Sequence, residues 1–192
     1  MKPKIKFLFL LFAISAISCK TAEFGYQVID VNGMVYDFSN RPVPFCEITL
    51  GAGHKSVTDI NGRFTLQKVP AGTYLITGFK NGYEFHSDEI NIRDAGQIVY
   101  IRMPSARQLL NLADQALTAN NTELAGEMIG RALLADSRNT EALFYSAVLK
   151  FRQRDYSGAV EILDGVRNSG VRDFYVDKFF SDLKELVHEN ND

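Results

Sequence analysis

The side chains that most often do chemistry in proteins are few and scattered in this sequence. Its three histidines, His54, His86 and His188, lie far apart, and no pair has the spacing of metal ligands. The adjacent acids Asp88 and Glu89 would face opposite sides of a strand, so they cannot act as an acid–base pair. No serine lies in a nucleophile elbow, and no glycine-rich phosphate loop opens a helix. The sequence therefore predicts no enzyme, no cofactor and no metal site.

Two cysteines offer different chemistry. Cys46 alternates with Ile48 and Leu50 in an apolar strand pattern, which predicts a buried, structural thiol. Cys19 follows a lysine-containing start and the apolar stretch Phe7–Ile17. That stretch has eleven residues, whereas a helix that crosses a bilayer needs about 20. The first segment is therefore predicted to be a targeting signal and not a membrane span.

The arrangement of Ser18 and Cys19 after this stretch resembles a bacterial lipoprotein signal peptide. The resemblance implies that residues 1–18 are removed and that Cys19 becomes a lipidated N-terminus. Residues 19–26 would then form an anchor and linker, and the protein would lie on the periplasmic face of the outer membrane or at the cell surface. The alternative is an ordinary secretory signal that is cleaved nearby and leaves Cys19 unmodified.

Composition narrows the class of the rest of the chain. Hydrophobic residues make up 46% of the sequence and charged residues 23%, as in ordinary globular domains, which argues against wholesale disorder. The net charge is −2 and no basic stretch is present, so nucleic acid is not an expected partner.

Short strand patterns separated by Gly, Asn and Pro occupy residues 27–103 and predict a small antiparallel β-sandwich. The turn pair Asn61-Gly62 predicts a hairpin. The predicted strands are Val28–Tyr36, Val43–Leu50, Phe64–Gln67, Thr73–Phe79, Glu89–Ile92 and Gln97–Arg102.

Four motifs in this region occur in a recognisable order. They are Gly-Met-Val-Tyr-Asp at 33–37, Arg-Pro-Val-Pro at 41–44, Thr-Asp-Ile-Asn-Gly-Arg-Phe at 58–64 and Pro-Ala-Gly-Thr-Tyr at 70–74. Together they resemble the carboxypeptidase regulatory-like domain, a transthyretin-like sandwich, over residues 27–102. The resemblance implies a non-catalytic module for support, spacing or binding.

After Pro104 the apolar period becomes helical, and related patterns recur about 34 residues apart. This part resembles tetratricopeptide repeats, although Leu109 and Ser137 replace the usual Trp and Pro. The resemblance implies an all-α array over residues 105–190, with repeats at 106–139 and 140–173 and a capping helix at 174–189. Because three repeats are the usual minimum, we expect the helices to lean on the sandwich or on another chain.

The helix around Leu143–Phe151 is apolar on nearly every side, so several of its faces must be covered. The repeat register predicts that its inner face forms part of a partner-binding groove. The alternative is that the β-domain or a homodimer mate covers these residues. The predicted groove consists of Leu110, Asp114, Leu117, Phe144, Val148, Phe151, Arg152, Tyr175 and Lys178, with Arg107 and Glu141 also at its rim.

The overall expectation is an α+β protein with two domains that acts as a membrane-anchored, non-catalytic adaptor or scaffold for another envelope protein or peptide. One alternative is a glycan- or peptide-binding module that uses the sandwich loops at His54-Lys55 and Lys80–Phe85, with Tyr83 as a stacking residue. A third interpretation is a minor subunit of a larger complex.

Overall fold

A computed structural model describes residues 28–170 and 173–189 of the protein. These residues form seven strands followed by five helices, which confirms the predicted α+β class. The predicted signal peptide, Cys19 and the linker lie outside the described residues. The strands are β1 (Val28–Tyr36), β2 (Glu47–Leu50), β3 (His54–Val57), β4 (Arg63–Pro70), β5 (Gly72–Phe79), β6 (His86–Ile92) and β7 (Ile98–Arg102). The helices are α1 (Ala106–Thr118), α2 (Thr122–Ala135), α3 (Thr140–Arg152), α4 (Tyr156–Asn168) and α5 (Phe174–Glu189).

The strands form two sheets with the orders β4-β1-β7 and β3-β2-β5-β6. Alternate side chains are buried, as in β2, where Ile48 and Leu50 face the core and Glu47 faces solvent. The two sheets enclose one core of fifteen buried residues, which confirms the predicted sandwich. One pair, β1 and β7, is parallel, which the prediction of antiparallel strands did not anticipate.

The strands differ from the sequence prediction in several places: β3 was not predicted, and β4 and β6 extend up to three residues beyond their predicted bounds. β2 begins at Glu47 and not at Val43, because Pro44 and Phe45 form a turn. The Asn61-Gly62 turn is present, but it connects β3 to β4, which belong to different sheets. The expected hairpin of paired strands is therefore wrong, because β3 pairs with β2 while β4 pairs with β1.

The helices begin and end in a repeating register. α1, α3 and α5 begin 34 residues apart, and so do α2 and α4. α1, α3 and α5 are each capped by a polar side chain at the equivalent position, namely Ser105, Asn139 and Asp173. Asn121 and Asp155 cap α2 and α4 in the same way. Each helix packs on the next one along the chain, so the five form a continuous array.

The β5–β6 loop attaches the helices to the sandwich. Gly82 accepts a hydrogen bond from the Ala106 N–H at 2.9 Å and donates one to the Ala135 carbonyl at 3.3 Å. Glu84 forms a two-point ion pair with Arg131 of α2, at 2.6 and 2.9 Å. The helices are therefore attached to the sandwich through this loop.

The helices join the sandwich at the end opposite to the start of β1. The Met103 N–H, three residues before α1, donates to the carbonyl of Tyr36, the last residue of β1. Val28, the first residue of β1, is eight positions away along the strand, or about 26 Å at 3.3 Å per residue. A chain segment that enters at Val28 therefore arrives far from the helices.

Candidate partner-binding site

An open cleft of about 470 Å³ lies where α3 and α5 begin. The repeat register brings these two helix starts together although they are 34 residues apart in sequence. The cleft is lined by Thr140, Glu141, Phe144, Asp173, Tyr175 and Val176. Of the residues predicted for the groove, Phe144 and Tyr175 are thus brought together, and the predicted rim residue Glu141 lies beside them.

The cleft has an apolar lining that is only partly covered. Val176 is buried and Phe144 is half-buried, with its ring 5.8 Å from that of Phe179 in an edge-to-face arrangement. Tyr175 is 72% exposed, so most of its ring is available for contact. This arrangement can receive one apolar side chain of a partner.

The described charged residues that line the cleft, Glu141 and Asp173, are acidic. Glu141 is exposed, and Asp173 holds the start of α5 because its Oδ1 accepts bonds from the N–H groups of Tyr175 and Val176. No lysine or arginine among residues 28–170 and 173–189 lines it. A basic group beside the entering apolar side chain would therefore be attracted by Coulomb interaction.

Three lining residues, Thr140, Asp173 and Val176, were missed by the sequence prediction. A signal for them was present, because Asp173 follows the cap residue Asn139 by one 34-residue period. The prediction followed the inward positions of the repeat register, so it included Glu141 and Tyr175 near the helix starts but not the residues beside them.

The structure corrects two members of the predicted groove. Leu110 and Leu117 are buried in the helical core and are not exposed to a partner. The reason is that α2 packs closely on α1, with Ala125 against the cluster that contains Leu117.

Val148 and Phe151 are half-buried and pack between helices. Val148 lies against the cluster of Leu117, and Phe151 has ring distances of 5.6 Å to Tyr156 and 5.7 Å to Phe179. The apolar face of α3 is therefore covered largely by neighbouring helices and not by the β-domain, which one alternative had named.

The charged groove residues lie apart from the cleft. The Tyr145 hydroxyl donates to Asp114 at 3.2 Å, and Arg152 donates to the Leu117 carbonyl at 2.7 Å. Both side chains thus connect α3 to α1. Lys178 is exposed on α5 and does not line the cleft.

The sandwich loop at Lys80–Phe85 is engaged with the rest of the molecule. Lys80 donates to the Pro44 carbonyl at 2.6 Å and lies over the ring of Tyr83 at 4.9 Å. Glu84 is paired with Arg131, while Asn81 and Phe85 remain exposed. The loop therefore serves as the junction with the helices.

Two other potentially reactive side chains, Cys46 and Asp59, have environments typical of structural roles. Cys46 is buried, as predicted, and its burial raises the pKa of the thiol to about 11. Asp59 Oδ1 accepts bonds from the N–H groups of Asn61 and Arg63 at 2.8 Å each, and so stabilises the turn.

Among residues 28–170 and 173–189, no three His, Cys, Asp or Glu residues come together as a metal site would require. None of the described helices has the length and apolar character that a bilayer span requires.

Comparison with protein families supports the sequence motifs of the sandwich. The family model of the carboxypeptidase regulatory-like domain matches residues 30–102, which confirms the resemblance for that part of the chain. The model does not extend into the helices. No curated protein matches the chain.

Among solved structures, two interface mutants of a type II cohesin–X-dockerin complex from Acetivibrio cellulolyticus are similar to this chain. The identities are 20% and 18%, the matches cover 41% and 45% of this chain, and the TM-score is 0.33 in both cases. The first match spans 58% of the solved chain and the second 72%. At this TM-score the similarity carries no argument about fold or function.

Proposed function

We propose that this protein is a non-catalytic, membrane-anchored adaptor whose helices bind a segment of another envelope protein. The observation that carries the proposal is the open cleft between α3 and α5, with Tyr175 exposed beside Phe144 and with acidic groups at its edge. The preferred ligand segment has one apolar side chain that enters the cleft and a neighbouring Lys or Arg that faces Glu141.

The proposal includes the assignment of the helices as divergent tetratricopeptide repeats. Its support is the 34-residue spacing of helix starts, the equivalent capping residues and the small buried residues at equivalent places. Ala113 and Ala147 form one such pair, and Ala125 and Ala159 form the other. In this register α5 is a last helix that covers the second repeat. We therefore propose the same domain boundaries that the sequence predicts.

Anchoring through a lipidated Cys19 completes the proposal. Its support is the signal-like sequence that precedes Cys19, together with the position of Val28 at the end of the sandwich away from the helices. With this geometry the sandwich is a spacer, and the cleft is held away from the membrane surface. Confinement to a layer near the membrane raises the effective concentration of the cleft for other envelope proteins.

The test is a mild cross-linking pull-down from detergent-solubilised membranes, in which the native chain is compared with Tyr175→Asp and Phe174→Asp. The two residues are matched, because each is 72% exposed and their rings are neighbours, but only Tyr175 lines the cleft. We expect Tyr175→Asp to lose the partner at least tenfold and Phe174→Asp to retain it. Equal retention by both variants, with both folded, would contradict the proposal.

A further inference from the structure

A second apolar surface lies on the outer face of the β3-β2-β5-β6 sheet, at the end near the helices. Val57 of β3 and Phe79 of β5 both lie opposite Glu47 of β2, and Phe85 comes directly before β6, the strand next to β5. All three apolar side chains are more than half exposed. Together with Phe45, they are called the sheet patch below.

Phe45 has a backbone conformation that phenylalanine does not favour. Its φ is +54°, at the second central position of the Pro44–Phe45 turn, where Gly or Asn is usual. Buried Thr58 fixes this turn, because its carbonyl accepts from the Phe45 N–H at 3.0 Å. The Thr58 hydroxyl also donates to Val43 and accepts from the Cys46 N–H.

Burial within the chain does not offset this strain, because Phe45 is 66% exposed. Of the five described non-glycine residues with positive φ, it is the only apolar one. A strained, exposed aromatic side chain that hydrogen bonds hold in a turn is a candidate for a functional contact. The sheet patch is therefore expected to be covered by another surface.

The size of the sheet patch fits one side of a dimer interface. Three aromatic residues and a valine, each more than half exposed, present on the order of 400 Å² of apolar surface. A stable interface buries about 800 Å² per partner, of which about 65% is apolar in homodimers. The sheet patch therefore supplies most of the apolar area that one subunit needs.

The same face also carries features that complement the sheet patch. A hollow of about 250 Å³ lies between β2 and β3, beside Val57, and a cavity of roughly 150 Å³ is enough for a benzene ring. Glu47 and Lys55, at the edge of the hollow, have opposite charges and are exposed, and neither forms an ion pair with another described residue. In a two-fold dimer each contact occurs twice. A projecting ring of each subunit can therefore enter the hollow of the other, and Glu47 of each subunit can pair with Lys55 of the other.

We propose that a second copy of this chain covers the sheet patch, so that two sandwiches pack face to face about a two-fold axis. The Phe45 or Phe79 ring of each subunit enters the hollow of the other, and Glu47 of each subunit faces Lys55 of the other. The helical clefts lie on other elements and remain open in this dimer.

The test uses the full chain in cells and a flexible bismaleimide cross-linker. Ser87 is exposed on β6, opposite Thr77 on the outer face, and Ser157 is exposed on α4, so Ser87→Cys and Ser157→Cys are matched variants. The unsubstituted chain is the control for the native cysteines. We expect Ser87→Cys to give a cross-linked product at twice the apparent mass of the same protein without cross-linker, and Ser157→Cys to give none.

Further substitutions in the Ser87→Cys chain separate a dimer from chance contact. Phe79→Asp and Glu47→Lys should each reduce the cross-linked product at least tenfold, and adding Lys55→Glu to Glu47→Lys should restore it. Phe45→Asn, which suits the positive φ and so keeps the fold, should also reduce it. Persistence of the product in all these variants, its absence from Ser87→Cys, or a product containing a different protein would overturn the proposal.

Discussion

The sandwich and the helices are stabilised in different ways. The sandwich has one continuous core, made mainly of Val, Ile and Leu side chains that are fully buried. The helices have three smaller clusters in which buried alanines alternate with larger side chains, and half-buried aromatic rings surround them. The sandwich therefore closes a single core and exposes apolar side chains only on its outer surfaces, whereas the helices divide their core into clusters and leave an apolar cleft open between α3 and α5.

The largest effect is expected from a cavity in the sandwich core. Leu50→Ala removes most of a fully buried side chain and should lower the free energy of unfolding by about 3 kcal/mol. Leu134→Ala on α2 is the control, because Leu134 is exposed and its loss should cost less than about 0.5 kcal/mol. Urea unfolding measures both. Similar losses for the two variants would contradict the burial of Leu50 in a tightly packed core.

The next largest effect concerns Asp37, a buried carboxylate at the end of β1. Burial alone would raise the pKa of Asp37, but hydrogen bonds from Arg41, Ser39 and Gln108, with the charge of Arg41, hold the pKa below its ordinary value of 3.8. The ionised form is therefore favoured by folding, and this stabilisation is complete above pH 3.8 and is lost as the pH falls through the lower, folded-state pKa.

Replacement of this carboxylate gives a prediction with a pH signature. Asp37→Asn should cost about 2 kcal/mol at pH 7, because several donors lose an ionised acceptor. The cost should shrink as the pH falls below 3.8, where the native side chain becomes protonated as well. Unfolding measured across pH 2–7 checks this, and a cost that does not change with pH would contradict the assigned cause.

The junction between the two regions gives a smaller effect. The Glu84–Arg131 pair is mostly shielded from solvent and has two-point geometry, so its coupling energy should be about 1 kcal/mol. A double-mutant cycle with Glu84→Gln and Arg131→Gln, followed by the unfolding of helical circular dichroism, measures it. A coupling energy of zero would show that the helices do not depend on this contact.

The smallest effect has the opposite sign. Phe45→Asn should raise the free energy of unfolding of the dilute monomer by roughly 0.5 kcal/mol, because Asn tolerates positive φ better than Phe. Thermal unfolding at low concentration tests this. A destabilised variant would mean that the Phe45 ring stabilises the monomer through contacts within its own chain.

The architecture could be predicted from sequence where each signal is local. The alternation of Cys46, Ile48 and Leu50 predicts a buried face, and the 34-residue recurrence predicts the helix spacing. The parallel pairing of β1 with β7 could not be predicted in this way, because it joins segments about 66 residues apart, such as Asn32 and Ile98.

The candidate site was predicted in part. The register placed Phe144 and Tyr175 on the side where the cleft lies, but it also assigned the buried Leu110 and Leu117 to an open groove. Register gives the direction of a side chain, whereas its exposure depends on how closely neighbouring helices approach. The alanine at 125 allows α2 to approach α1 closely, which buries Leu117.

The most direct test of the cleft as a binding site is photo-crosslinking in intact cells from single positions. A benzophenone amino acid is placed at Tyr175 in one variant and at Phe174 in the other, two positions of equal exposure of which only the first lines the cleft. We predict one discrete cross-linked partner from position 175 and little or none from position 174. No product from position 175, or the same products from both positions, would contradict the account.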